Sequence, residues 1–330
     1  MTKISPNELP SIIATRGFHH FKNFLSKNET SEILKIYQSL KNSDNKNYPV
    51  KVLAINQMPK SVFAKLDLVK DNCFPTIKSE ITNAAFFSID TLDLVNSINS
   101  GFHQDHESYY FTGDHTHHLN LYLTIEKDDL KNSNLSLVPA DSLKKIDSKF
   151  HEIVTGAGAS MTLNNTYFSQ SKDLAYKFSF DFNSIVETPE LQVGDLLLMR
   201  GDIIHRTQNQ NSNRVALSVR SGRPDVVVDR NRYYPTSLNH LHFIKNNIKP
   251  YAKRAFLFSY ADLDFMSLQE LNTLYLNIGN NYTSEIKELY ENFFTRYNEY
   301  IEYFSAKEKE RLSLLANLRK ENLSCSSLKD

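Results

Sequence analysis

Hydrophobic and polar positions change rhythm twice along this chain. Over residues 26–43, Ile33, Leu34, Tyr37 and Leu40 recur at helical intervals, and Ser26 with Glu29 has capping-box spacing, which predicts a helix. From about 81 to 225 the rhythm shortens. AAFFSI, LNLYLTI, LSLVP, GDLLLM and RVALSV are short apolar or alternating runs, separated by Gly, Asn, Asp and Ser. Many punctuated strands predict an antiparallel sandwich or barrel. Beyond about 255 the helical interval returns. Ser267 and Glu270 repeat the capping-box spacing before a helix expected to stop at Gly279. A long charged segment, about 283 to 320, then carries an aromatic stripe of Ile286, Leu289, Phe293, Tyr297, Tyr300 and Phe304. That stripe is expected to pack on the barrel or on a second subunit, which allows a homodimer through the C-terminal helices.

These rhythms divide the chain into an N-terminal helical region (1–80) packing on the core, a strand-built catalytic core (81–225), and a mainly helical C-terminal extension (226–330). The 330 residues are 40% hydrophobic and 23% charged, enough for a sizeable core. Lys plus Arg number 38, as do Asp plus Glu, so no basic surplus marks a nucleic-acid partner. Any anion must be held by a few specific residues. Cys73 and Cys325 lie far apart and neither belongs to a CxxC, which argues against a disulfide framework and a thiolate zinc site. The opening residues lack the apolar core of a signal peptide, and no apolar run approaches a membrane span. The expectation is a cytoplasmic protein that does not engage a membrane. With 9 Gly in all, GAGAS at 156–160 lacks dinucleotide spacing, and no G-x-S-x-G is present.

Candidate chemistry gathers in Gly101-Phe102-His103-Gln104-Asp105-His106. Residues two apart on a strand share a face, so His103 and Asp105 can point at one ion while Gln104 faces away. A two-His-one-carboxylate triad needs a second imidazole. The best candidate is His205, which follows the Gly194-Asp195 turn, the strand Leu196 to Met199 and the Gly201-Asp202 turn. Arg214 then leads another strand, and its guanidinium suits bidentate binding of an oxo-acid carboxylate. An HxD triplet alone is weak; the ordered combination is not. A rival site of Asp114, His115 and His117 lacks a distant ligand. The plainer reading of His106, His115, His117 and His118 is a substrate-entry loop or a solvent-facing segment, with Tyr109 and Tyr110 nearby. Arg223, Arg230 and Arg232 read as a solvated charged face, or as contacts to an anionic substrate.

With this order, the sequence resembles the phytanoyl-CoA hydroxylase-like branch of the Fe(II)/2-oxoglutarate-dependent dioxygenases. RGFHHFKNFLSKNETSEILKIYQSL at 16–40 is similar to the family's opening strand and helix. LNLYLTIEKDDLKNSNLSLVPADSL at 119–143 is similar to the segment following its HxD strand. The likeness spans roughly residues 16 to 225. It implies a mainly β fold with helical additions, its core a double-stranded β-helix (a cupin-like jelly roll). It implies His103, Asp105 and His205 as iron ligands, Arg214 as the 2-oxoglutarate anchor with Arg220 as fallback, and Tyr122 and Asn120 beside the cofactor. Two departures stand out. Ala140-Asp141-Ser142-Leu143 replaces the usual Gly-Ser-His, and the interval from His205 to Arg214 is short for the branch. The implied activity uses Fe(II), 2-oxoglutarate and O2 to hydroxylate an unactivated C–H bond of a small, free or carrier-bound, metabolite or biosynthetic intermediate, releasing succinate and CO2. A carboxylate at Asp105 argues against halogenation. The alternatives are a non-oxidative cupin-like metalloenzyme, for which Arg214 would have no oxo-acid to bind, and a catalytically silent jelly-roll binding protein.

Overall fold

The computed structural model describes residues 8–43, 50–54, 57–73, 80–90, 101–105, 115, 117–169, 174–208, 212–236, 240, 241, 244, 245, 248–281 and 283–326. His106, Tyr109, Tyr110 and Asp114 lie outside them. The chain divides into two compact units, Met1–Val228 with Ser267–Asn272, and Asp229–Met266 with Thr273–Asp330.

Among the described residues, twelve strands build the two large sheets of the first unit: β1 (Phe18–Phe21), β2 (Val50–Ala54), β3 (Glu80–Asp90), β4 (His103–Gln104), β5 (Leu119–Lys127), β6 (Leu135–Leu137), β7 (Ser160–Leu163), β8 (Thr166–Ser169), β9 (Leu174–Lys177), β10 (Leu196–Arg200), β11 (His205–Thr207) and β12 (Arg214–Gly222). They form two six-stranded sheets, ordered β1-β10-β5-β12-β3-β2 and β6-β11-β4-β7-β8-β9. The chain alternates between them, β4 in the second, β5 in the first, β6 in the second, and again through β10, β11 and β12. This winding is the expected jelly roll.

The alternation of β5 decides which face does what. Leu119, Leu121, Leu123 and Ile125 point one way, with Leu196, Leu198, Val215, Leu217 and Val219 from its neighbours. They meet Leu9, Ile13, Ile33, Tyr37, Val62, Leu66 and Cys73 from the helices α1 (Leu9–Thr15), α2 (Lys27–Ser43) and α3 (Lys60–Cys73). Each such side chain, fully buried, contributes about 1.5–3 kcal/mol. The opposite face carries Tyr122, Leu197, Met199 and Ala216 toward Leu135, Leu137 and Ile203, closing the space between the sheets. Outside the second sheet, α4 (Ala140–Ile146) and α5 (Ser148–Val154) contribute Leu143, Phe150 and Val154 to a cluster with Phe102, Tyr167, Phe178 and Ile204. The run Ala140 to Leu143, one of the two departures, is thus the start of a helix.

The capping boxes form. Ser26 N donates to Glu29 Oε2 at 2.8 Å and Glu29 N to Ser26 Oγ at 3.3 Å, while Lys65 of α3 donates to the same carboxylate at 2.7 Å. Ser267 and Glu270 repeat the exchange at 2.7 and 3.1 Å ahead of α7 (Leu268–Asn280), which runs one residue past Gly279. In the second unit, α6 (Ile248–Tyr260) packs on α8 (Ser284–Ser326), Phe256 meeting Tyr290 and Phe293. The stripe on α8 is centred a little off the expected one. Tyr297 and Ile301 are buried, whereas Leu289 and Tyr300 are largely exposed. No described helix is long and apolar enough to cross a membrane.

Candidate metal centre

Pairing of β11 with β4 sets His205 directly opposite His103, ring centroids 4.5 Å apart. Both rings are fixed alike. His103 Nδ1 lies 2.9 Å from the carbonyl of Gly101, and His205 Nδ1 lies 2.9 Å from that of Ile203. A carbonyl only accepts, so each Nδ1 carries a proton, and Nε2 is the nitrogen whose lone pair a neutral imidazole would offer a metal. Asp105 follows β4 immediately, with its carbonyl held by Ala159 N at 2.9 Å. One ligand atom from each of His103, Asp105 and His205 falls within 4.8 Å of the others, and this is the only such trio among the described residues.

The two carboxylate oxygens of Asp105 have separate surroundings. Oδ1 lies 3.6 Å from His205 Nε2. Oδ2 accepts from Arg220 Nη1 at 2.5 Å and from Asn120 Nδ2 at 3.4 Å. Burial pushes this carboxyl up, but Arg220, His205, His103 and His118 outweigh it and hold it well below the carboxylate range. Asn120 is held in turn, its Oδ1 accepting from Ser218 Oγ at 2.7 Å. Arg220, Ser218 and Asn120 all stand on the inter-sheet face, as alternation along β5 and β12 requires.

Arg214 sits at the far end of β12, opposite Lys127. It is buried, donates Nη1 to the carbonyl of Ser133 at 2.9 Å, and lies 5.6 Å from the Tyr122 ring centroid. Ser133 adopts φ 52°, a left-handed conformation that non-glycine residues seldom take. Lys127 Nζ is close by, donating to Asn134 Oδ1 and to the carbonyls of Leu130 and Leu191 at 3.3 and 3.2 Å. Burial and the neighbouring Arg214 push its ammonium down to about 8. The structure thus separates the two arginines the sequence left in competition: Arg220 is engaged by Asp105, and Arg214 stands beside Tyr122 and Lys127.

Gln104 has a supporting place of which the sequence bears no sign beyond its facing away from His103 and Asp105. Facing away from the ions' side, it is fully buried, with Nε2 donating to Asp202 O at 2.7 Å and Val154 O at 2.9 Å. Its Oε1 accepts from Tyr167 Oη at 2.5 Å and Ser160 Oγ at 2.8 Å. All four bonds of the amide are made, which pins the residue between two candidate ligands. Of the histidines after the HxD strand, two depart from the solvent-facing part of the expectation. His115 and His118 are buried, not solvent-facing. His115 lies over Gly158, where a Cβ would come within 2.1 Å of the ring. His118 precedes β5 with the parity of Asn120 and Tyr122, the one sequence signal that could have placed it. Burial, then Arg220 and His115, lower its pKa well below the usual imidazole value, so it is neutral. Arg223 pairs with exposed Asp225, and Arg230 with exposed Asp264, as a solvated charged face would have it.

Two facing sheets with two oriented imidazoles and one carboxylate between them define a candidate mononuclear metalloenzyme of the jelly-roll class. No protein-family model and no curated protein matches the chain. Among solved structures it is similar to the non-heme alpha ketoglutarate dependent epimerase SnoN from nogalamycin biosynthesis, at 11% identity over 68% of this chain and 84% of that one, TM-score 0.46. It is also similar to EctD from S. alaskensis (11% identity, 70% and 82% covered, TM-score 0.45) and to a Pseudomonas putida prolyl-4-hydroxylase (10%, 66% and 99%, 0.40). Identities of this size carry no activity across, so the chemistry has to be read from the residues themselves.

Proposed function

We propose that this protein is an iron(II) oxygenase that consumes 2-oxoglutarate and O2 and hydroxylates a C–H bond of a small molecule. The observation carrying this reading is the preparation of the three donors. Both Nδ1 atoms are tied to carbonyls, one carboxylate oxygen is tied to Arg220, and the remaining donor atoms converge. Two neutral imidazoles and one carboxylate suit a divalent first-row ion and leave other coordination positions for co-substrate and O2. Bound iron(II) would supply the oxidation, in which 2-oxoglutarate and O2 give succinate and CO2 while one oxygen atom enters the substrate C–H bond as a hydroxyl.

The protein's own part is placement. His103, His205 and Asp105 hold the ion. Arg220 and Asn120 keep the far oxygen of Asp105 occupied, so that it offers one donor atom. Arg214 receives the distal carboxylate of 2-oxoglutarate as a bidentate partner, with Lys127 adding positive potential beside it. Tyr122, Leu137, Met199 and Ala216 wall the interior and keep water from the oxidant.

Anaerobic addition of iron(II) and then 2-oxoglutarate to the purified protein should produce a visible metal-to-ligand charge-transfer band. The band should vanish in Asp105→Ala. Failure of both iron and 2-oxoglutarate to bind the wild-type chain would remove the reading.

A further inference from the structure

The register of the second sheet extends the row of metal-side residues beyond the ligands. His205 lies opposite His103, His103 opposite Met161, Met161 opposite Phe168, and Phe168 opposite Ala175. Directly paired residues share a face, so Met161, Phe168 and Ala175 look out on the same side as the imidazoles. The next row on that side is Leu163, Thr166 and Lys177. On the opposite side stand Gln104, Ser160, Tyr167 and Ser169, all buried against the outer helical layer.

Exposure on these strands is inverted relative to an ordinary sandwich. The side facing the metal centre holds the large apolar residues, yet Met161 is 51%, Phe168 42% and Leu163 63% exposed. Their partners on the outer side, polar Ser160 and Ser169 included, are the buried ones. Three large apolar side chains laid out from the strand of His103 form an accessible apolar platform, with exposed Lys177 at its edge. It begins one strand from His103 and reaches Phe168 at about 10 Å, two inter-strand spacings away.

The geometry points to this platform as the substrate subsite, binding an uncharged alkyl or aryl segment of the substrate along Met161, Leu163 and Phe168 with its near end at the metal. The inference rests on the oxygenase reading and narrows it: the C–H bond oxidised belongs to a hydrophobic segment, not to a polar head group. Met161 and Phe168 are adaptable, polarisable surfaces for such a segment.

The chain contains no Trp, so Phe168→Trp installs a single fluorescent reporter on the platform of the full-length protein. Titration with n-alkanols from butanol to decanol should shift its emission to the blue, with affinity rising about two- to fourfold per methylene until the platform is filled. Adding Met161→Asp, a substitution at a half-exposed position, should weaken decanol binding at least about tenfold, and Leu163→Asp should act in the same direction. An emission that does not respond to chain length, or one that Met161→Asp leaves unchanged, overturns the platform. The two readings fail separately. A wild-type charge-transfer band with a flat alkanol response sinks the platform alone, whereas loss of the band sinks the reading beneath it.

Discussion

The two arginines of β12 give the sharpest test of the site. Arg214 and Arg220 are six positions apart on one strand, about 20 Å between Cα atoms at the strand rise. Arg220 Nη1 reaches Asp105 Oδ2 at 2.5 Å, at the metal end. Arg214 lies by Tyr122, which is two residues, or about 7 Å, along β5 from the Asn120 that touches Asp105. A five-carbon dicarboxylate chelating an ion at the triad would extend its far carboxylate toward Arg214, whereas Arg220 is too close to receive it.

Arg214→Ala would remove two charge-assisted hydrogen bonds and leave the carboxylate of 2-oxoglutarate in a buried pocket. Such hydrogen bonds contribute about 1.5–3 kcal/mol each, and losing one partner of a buried pair costs about 3–5 kcal/mol. The Kd for 2-oxoglutarate should therefore rise about 150- to 5000-fold, with iron binding nearly unchanged. Arg220→Ala should do the reverse. It frees Asp105 to reorient and removes a cation that opposes its protonation, so iron affinity should fall about 10- to 100-fold, as is usual when a ligand's supporting partner is lost. At saturating iron its Kd for 2-oxoglutarate should change by less than about threefold. Chelator competition measures the first quantity and anaerobic titration of the charge-transfer band the second. If Arg220→Ala abolishes 2-oxoglutarate binding at saturating iron while Arg214→Ala does not, the assignment is wrong and Arg220 is the anchor.

Three further outcomes follow from the geometry. Gln104→Leu removes four buried side-chain hydrogen bonds, to two carbonyls and two hydroxyls, so unfolding free energy should fall by about 3–5 kcal/mol in urea melts, and a loss under 1 kcal/mol would contradict the pinning role. His118 has its folded pKa depressed, first by burial and then by Arg220; the unfolded chain takes up a proton that the fold refuses. Its contribution is thus fully present above about pH 6.5 and is lost below it at up to about 1.4 kcal/mol per pH unit, a slope that His118→Leu should flatten in the metal-free protein. Gly158→Ala would set a Cβ 2.1 Å from the buried His115 ring, and an unchanged melting temperature instead of a loss of about 1–3 kcal/mol would show that the ring moves freely.

Much of the fold was legible because its signals are local. The period-two alternation of LNLYLTI separates helix-facing leucines from Asn120 and Tyr122, and the Ser26–Glu29 box marks the start of α2 within a residue. The donor trio was legible too, since HxD spacing and a later turn-bounded His are properties of the chain alone. What stayed hidden depends on registers between distant strands. Whether Arg214 or Arg220 meets Asp105 turns on how β12 aligns with β5, including the shift between Val215 and Ala216. The buried state of His118 and the four bonds of Gln104 depend on partners 50 or more positions away in most cases, such as Val154, Ser160 and Asp202. The stripe on α8 was drawn from spacing that any amphipathic helix satisfies, and only packing with Phe256 shows which residues it centres on.

Local placement of charge would let a chain of zero net charge hold an anion. Arg220 is balanced by Asp105. Arg214 is buried next to Lys127, whose ammonium is already pushed down to about 8 by burial and by that neighbour. A 2-oxoglutarate carboxylate placed at Arg214 would add negative charge beside Lys127 and raise its pKa. Binding should therefore be coupled to proton uptake when measured above pH 8, and weaken as Lys127 loses its proton. Lys127→Met should remove that pH dependence while leaving the triad intact. A 2-oxoglutarate affinity equally independent of pH between 7 and about 9.5 in both proteins would mean that Lys127 plays no part in holding the anion, and that its three hydrogen bonds serve only to tie the β5–β6 turn to the segment at Leu191.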